Sequence, residues 1–328
     1  MQGLAATSGR GSSWLKRAIS LAAMVLSVAC GGDEKPTPPP GSPLTESTVP
    51  NPAVIIAVGD IAVCGSNADE STAAIADSLL QADSAENLQT LVLTLGDNAY
   101  PSGDDGMSRV FTRCFLPSWG KPRIMNVIRP SPGNHDYEGG SGSPYFRYFG
   151  ARAGEPDKGY YSFDFAGWHF VSLNSEVVGG ENFVEKEQES WLQADLRAHA
   201  AECTVAYWHR PRFSSGPHGS NRAFQRLWQI LYQNGVDLVL NGHDHDYERF
   251  IAQTPDGRPD PRRGIVEFVA GTGGGSLTGA RDRLAPNSAS HVNGQFGILK
   301  LMIGDGEYAH AFLDTKGRVW DPGTGKCH

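Results

Sequence analysis

His243 and His245 stand one residue apart in the run Asn241-Gly242-His243-Asp244-His245-Asp246, directly after the apolar stretch Val236 to Leu240. In an extended segment alternate side chains share a face, so the two imidazoles can converge at the end of a strand. Convergent imidazoles suit a metal ion. Taken alone, the run reads equally well as a polar loop that uses these residues for its turns.

Four further clusters decide between the two. Ala53 to Val58 ends in Gly59-Asp60, Leu91 to Leu95 in Gly96-Asp97-Asn98-Ala99-Tyr100, Ile124 to Ile128 leads into Gly133-Asn134-His135-Asp136, and Cys203 to Trp208 into His209. Runs that are apolar on both faces belong to buried strands, and in open α/β sheets ligands bind beyond the carboxyl ends of the strands. One such cluster is an ordinary turn; five at successive strand ends form a constellation.

The elements that position them alternate. Asp69 to Leu80, Val184 to Ala200 and Asn221 to Gln233 are amphipathic with capping-type or Gly-closed ends, which predicts helices between the strands and an α/β fold. Tyr160 to Asn174, Ile265 to Ala270, Gly297 to Ile303 and Tyr308 to Asp314 are strand-like without intervening helices. They are expected as antiparallel strands completing a second sheet.

The 328 residues, 39% hydrophobic with 40 Gly and 21 Pro, suit one large domain rich in loops. Residues 1–29 fall outside it: Arg10, Lys16 and Arg17 precede an apolar run from Ala18 to Ala29, the pattern of an export signal. Cys30 at the cut resembles a lipoprotein signal, with Ser27 where a bulkier aliphatic is more usual. The expected organisation is a signal over 1–29, a Pro/Gly-rich tether over 30–50 and a catalytic domain over 51–328. An exported chain, lipid-anchored at the cell envelope (periplasmic or outer-membrane side) or secreted, follows, touching membrane only through Cys30. The formal charge of −8 becomes −11 once the three leader cations are removed, which argues against a nucleic-acid partner. Cys64, Cys114, Cys203 and Cys327 remain, and four cysteines allow three connectivities.

From about Pro52 to Phe250, the order GD, GDxxY, GNHD, strand-end His and GHxH resembles the calcineurin-like metallophosphoesterases and, within them, the purple acid phosphatases. The resemblance implies a four-layer αββα sandwich and a dinuclear metal centre. Asp60, Tyr100 and His245 would hold one ion, Asn134, His209 and His243 the other, with Asp97 bridging. The expected pair is Fe(III) with a divalent Fe, Zn or Mn, since a phenolate from Tyr100 is a hard anionic donor suited to ferric ion. Cations ~3.5–4 Å apart repel, and a shared carboxylate offsets this; the pair acidifies bound water and neutralises phosphoryl oxygens during in-line attack by hydroxide.

His135 is the candidate proton donor or transition-state stabiliser, with Asp136 orienting it. His218 falls where the resemblance has a substrate-phosphate histidine, although Gly219 replaces the second His often found there. Ala62 departs from the His of the broader superfamily and from the Gly common in the purple group. His169, His199, His291, His310 and His328 match no motif and are expected to be structural. The resemblance further supports a Cys64–Cys114 bridge near the Asp60 and Tyr100 loops, more than Cys203–Cys327 at the opposite edge.

The function implied is hydrolysis of small phosphomonoesters. A phosphodiesterase acting on nucleotides or phospholipid headgroups and a non-catalytic metal- or phosphate-binding envelope lipoprotein are the alternatives. Oligomeric state is not legible.

Overall fold

The computed structural model describes residues 49–100, 109–137, 140–156, 158–177, 186–199 and 201–328. The expected signal segment, Cys30 and all but the end of the tether lie outside them. Strand β1 (Ala53–Val58) is buried at every residue. Its alternation sets the layering: Ala53, Ile55 and Ala57 face one apolar layer, Val54, Ile56 and Val58 another. A strand apolar on both faces needs cover on both.

In chain order there follow α1 (Ala68–Ala85), β2 (Thr90–Leu95), β3 (Ile128–Ser131), β4 (Tyr161–Phe165), β5 (Trp168–Ser172), α2 (Lys186–Ala198), β6 (Thr204–Tyr207), α3 (Gln225–Gln233) and β7 (Leu238–Asn241). The chain ends with β8 (Tyr247–Phe250), β9 (Val266–Ala270), β10 (Ser288–Val292), β11 (Gly297–Ile303), β12 (Glu307–Asp314) and β13 (Val319–Lys326). The first sheet runs β13-β12-β11-β1-β2-β3 and the second β10-β8-β9-β7-β6-β5-β4. Between the sheets Ile55, Leu93 and Leu95 meet Val205, Tyr207, Leu238 and Leu240. Outside the first sheet lie α1 and an aromatic group of Phe111, Phe115 and Phe149; outside the second, Leu192 of α2 and Leu227, Trp228 and Leu231 of α3 cover Ala206 and Val239. The result is the four-layer αββα sandwich. Cutting Ile55, wholly buried between the sheets, back to Ala would cost about 2–5 kcal/mol.

Two expectations are corrected. Ile124 to Ile128 is not a strand: Pro122 starts a single helical turn, Pro122–Met125, and the strand follows at Ile128–Ser131. Pro at the first helical position is preorganised for a helix, and Pro130, lacking an N–H, is tolerated because β3 is an edge strand. Second, β11 and β12 complete the first sheet, not the second, with β11 antiparallel to β1 from Ala53↔Ile303. In the second sheet β9 is parallel to β7 and antiparallel to β8. Strand-like sequence fixes neither partner nor direction.

Disulfides join Cys64 to Cys114 and Cys203 to Cys327. The first ties the segment after Asp60 to the helical turn Phe111–Phe115, next to a two-residue parallel pairing of Ala62–Val63 with Ala99–Tyr100 that joins the Asp60 and Tyr100 segments. Among the described residues no helix is long and apolar enough to cross a membrane.

Candidate metal centre

Strands β1, β2 and β3 run parallel, as do β6 and β7, so their carboxyl ends deliver Asp60, Asp97, Asn134, His209 and His243 to one place. Backbone bonds sew the five loops together. Asp60 N–H donates to Gly96 O at 3.0 Å, Gly242 N–H to His209 O at 3.0 Å and Gly59 N–H to Ala270 O at 2.8 Å. Asp60, Asp97 and His243 all have left-handed φ, at 61°, 48° and 73°. Such strain in non-glycine residues persists only where surroundings impose it and clusters at functional sites. Gly96 has φ +82°, and a Cβ there would stand 2.5 Å from His209 Cβ; at Gly242 it would reach 2.6 Å from Asp60 Oδ2. The motif glycines let the loops approach closely.

The donor atoms form two groups around one carboxylate. Tyr100 Oη lies 2.8 Å from Asp60 Oδ1, 3.1 Å from Asp97 Oδ2 and 3.4 Å from His245 Nε2. His209 Nε2 lies 3.2 Å from the same Asp97 Oδ2, 3.1 Å from Asn134 Oδ1 and 3.1 Å from His243 Nδ1. Donors ~2.0–2.2 Å from a common ion stand about this far from each other. Asp97 Oδ1 is taken by the His135 N–H at 2.7 Å, which leaves Oδ2 facing both groups. All seven expected ligands are therefore brought together, and this set of carboxylates, phenol, amide oxygen and imidazoles fits two hard or borderline cations.

Supporting contacts fix the imidazoles. His209 Nδ1 bonds Leu95 O at 2.9 Å and His245 Nδ1 bonds Ser276 O at 2.7 Å, so both rings turn Nε2 into the cluster, the usual outer partnership of ligating histidines. Burial works against charge on His209, but Asp97 and Asp60 outweigh it and push its pKa up to about 10. The same contest, with Asp60 the main partner, raises His245 to about 9. His243 is driven far down by burial and then by His209. Burial would raise Asp60, yet His245 and His209 hold it well below the carboxylate range. The buried acids draw positive charge into this pocket. Burial, Asp60 and Asp97 all raise the Tyr100 phenol, so losing its proton requires a strong cation.

Of the three expected catalytic residues, His135 tilts over Tyr100 with ring centroids 4.5 Å apart. Asp136, expected to orient His135, instead turns its carboxylate to Asn98 Nδ2 and Gly133 N–H, both at 2.9 Å. Burial, then Asp97, raises its pKa to about 7. It braces two loops. His218 packs against His243 with ring centroids 4.0 Å apart and planes tilted by 30°, and is held through Nδ1 by Asp244 Oδ1 at 2.9 Å.

Sequence reasoning missed several members. Asp244 lies between two expected ligands in the opening motif, and in the bend after the strand it turns away from them to His218 and Ser214. Ser276 ends a Gly-rich segment, Gly271 to Ser276, whose Gly273 and Gly275 N–H groups bond Gly59 O and Asp60 O at 3.0 and 2.8 Å. Arg210 is clamped by Glu176 at 2.6 Å and stands 3.2 Å from His243 Nε2; no motif marks it. Of the histidines expected to be structural, His169 and His328 pair with Asp195 and Asp237, and His291 with Asp246, the residue after His245; His199 stacks on His169 at 4.5 Å, and His310 is buried in β12.

A sequence model described as calcineurin-like phosphoesterase matches residues 53–247. Purple acid phosphatase 15 of Arabidopsis thaliana is 29% identical over 196 residues, 50% of this chain and 36% of that protein. Acid phosphatase type 7 of Homo sapiens is 27% identical over 280 residues, 70% of this chain and 59% of that protein. The chain thus spans about a third of the first of these relatives and 59% of the second. Among solved structures, purple acid phosphatase PPD1 from yellow lupin (Lupinus luteus) aligns with TM-score 0.67 at 19% identity, over 84% of this chain and 54% of that one. GAP50, described as the anchor in the inner membrane complex of Plasmodium, aligns with TM-score 0.63 at 14% identity, over 84% of this chain and 89% of that one. These two likenesses speak to the fold.

Proposed function

The chain belongs to the calcineurin-like phosphoesterase family, and from that premise we propose that it hydrolyses phosphomonoesters at a dinuclear centre of the purple acid phosphatase kind. The observation carrying this reading is the single oxygen Asp97 Oδ2, 3.1 Å from Tyr100 Oη and 3.2 Å from His209 Nε2, with donors fanning out on both sides. Asp60, Tyr100 and His245 would hold an iron(III), Asn134, His209 and His243 a divalent ion, and Asp97 both. Such a pair supplies an acidified water and neutralises phosphoryl charge.

The chain's own residues do the remainder. Asp97 is aimed by the His135 N–H. His135, about one-third exposed at its side chain, and His218, about half exposed, stand at the open side of the cluster, where a leaving alkoxide needs a proton and a phosphoryl oxygen a donor. Asp244 holds His218 by Nδ1, so Nε2 is the atom presented outward. A small phosphorylated substrate is the expected partner.

The reading includes export and anchoring through Cys30. Two disulfides support an oxidising compartment. Lipidation is tested by whether Cys30→Ser releases the protein from the membrane fraction.

Activity is tested by assaying purified metal-loaded protein on an aryl phosphomonoester and an aryl phosphodiester side by side, with metal analysis. Turnover of the monoester with two bound ions is expected. Turnover of the diester alone, or of neither, rejects the reading.

A further inference from the structure

An acidic chain, formally −8, carries an arginine-lined groove beside the loop that bears His218. Two adjoining cavities of about 460 and 220 Å³ share Ser220, Ala285 and Pro286 as walls. Arg281 and Arg283 line the larger, Arg212 and Arg222 the smaller. Among the described residues none of the four is ion-paired. Arg281 Nη2 donates to Pro217 O at 2.6 Å, and Arg212 Nη2 to Pro255 O at 3.1 Å. Of the acids nearby, Asp256 lines the smaller cavity and pairs with Arg258 at 2.9 Å, and Glu267 accepts the backbone N–H groups of Arg212 and Phe213; among the described residues neither carboxylate forms an ion pair with the Arg212 guanidinium.

Exposed arginines without partners are common, but Arg212 is only 4% exposed and its Nε has no hydrogen-bond partner. A buried cation with an unused donor is costly unless something anionic meets it. Burial lowers its pKa; Glu267 opposes this and Arg222 adds to it. Guanidinium forks match the oxygens of a phosphate.

The groove adjoins the metal cluster. Arg281 packs so closely on Gly219 that a Cβ there would stand 2.8 Å from its Nη2, while neighbouring His218 packs against His243. Arg212 is three residues beyond His209, no more than ~11 Å along the chain. The Ser214–Ser220 loop thus touches both, with His218 against His243 and Ser214, Ser215 and Ser220 in the groove wall.

We propose that the groove is a second anion subsite, which receives a further phosphate group of a substrate whose scissile phosphate lies at the metal centre. The proposal rests on the phosphatase reading and narrows it to small molecules bearing two or more phosphates.

The test compares glucose 1,6-bisphosphate with glucose 1-phosphate on the metal-loaded full chain, and on Arg222→Ala and Arg283→Ala, both exposed positions. A parallel arm measures binding of tripolyphosphate and of orthophosphate by calorimetry. The wild type should favour the bisphosphate in kcat/KM by about tenfold or more, and each variant should lose most of that advantage and bind tripolyphosphate about tenfold more weakly relative to orthophosphate. Equal kcat/KM for the two sugars in the wild type, or a preference unchanged in both variants, overturns the subsite while leaving the phosphatase reading intact. If neither sugar is hydrolysed, the phosphatase reading fails and the binding arm decides: tripolyphosphate affinity unchanged in both variants overturns the groove, and its loss sustains it.

Discussion

Asp244 accepts both the backbone N–H and the ring Nδ1 of His218 on one oxygen, Oδ1, each at 2.9 Å, while its Oδ2 takes the Ser214 hydroxyl at 2.5 Å. One wholly buried carboxylate therefore fixes both the loop and the imidazole beside His243, an expected metal ligand. Asp244→Asn retains the shape but weakens this hold. It should lower kcat about 10- to 100-fold with both metals retained. Metal analysis beside steady-state kinetics decides it: kcat within twofold of wild type, or loss of metal along with activity, rejects Asp244 as a positioning residue.

The Cys64–Cys114 bridge closes a separation of 50 residues, for which chain entropy gives about 4 kcal/mol of stabilisation. The Cys64→Ala/Cys114→Ala double variant should unfold about 10 °C lower than wild type. Because the bridge adjoins the pairing of Val63 with Tyr100, the variant should also hold the metal on the Tyr100 side less tightly. A melting temperature within 2 °C of wild type would show the bridge to be dispensable.

Much of the candidate site was legible because its ligands sit in Gly-flanked clusters after buried strands, where local spacing suffices. His243 and His245 were legible from their motif and the four companion clusters, although both lie in the bend after the strand, His243 with φ 73°, and not on an extended segment. What was not legible depended on long-range packing: Ser276 reaches His245, and Arg281 reaches Pro217, only after a strand and a loop have returned across the sheet. The assignment of β11 and β12 to the first sheet escaped for the same reason, since Ala53 and Ile303 are partners far apart in sequence. Asp136 misled because adjacency to His135 suggested a contact, whereas one helical turn, Asn134–Tyr137, turns its carboxylate back toward Asn98.

His169, wholly buried, lies between Asp195 at 2.9 Å and Asp164 at 2.7 Å, with His199 stacked on it at 4.5 Å. Burial alone would lower its pKa, but the bonds to Asp195 and then Asp164 outweigh this and raise it above 6.5. For Asp195, burial is likewise overcome, by His169 first, and its pKa falls below 3.8. A raised histidine contributes stability that is full below 6.5 and is lost as pH climbs through the folded value; the lowered acid contributes above 3.8 and loses it as pH falls. The bridge is thus strongest between those two values. The stability gap between wild type and His169→Gln in urea titrations should be widest near pH 5 and narrower at pH 9. A gap constant across that range would mean that His169 acts through packing alone.

Tyr100 links its own half of the cluster to the central carboxylate, its hydroxyl 2.8 Å from Asp60 and 3.1 Å from Asp97. Both carboxylates and burial keep its proton on, so a divalent ion competes poorly for the phenolate and a trivalent one does better. If iron(III) binds there, a phenolate-to-iron charge-transfer transition would give a visible absorption band and a coloured protein. Tyr100→Phe keeps the ring against His135, 4.5 Å away, and removes only the donor oxygen. The band should then vanish or shift while the thermal transition stays within a few degrees, since a single partly buried hydroxyl contributes about 1 kcal/mol. The measurement is a visible spectrum with metal analysis on protein expressed with iron available, for wild type and variant. An active, colourless wild type holding two divalent ions would remove Tyr100 from the iron site and leave only the broader metallophosphoesterase chemistry.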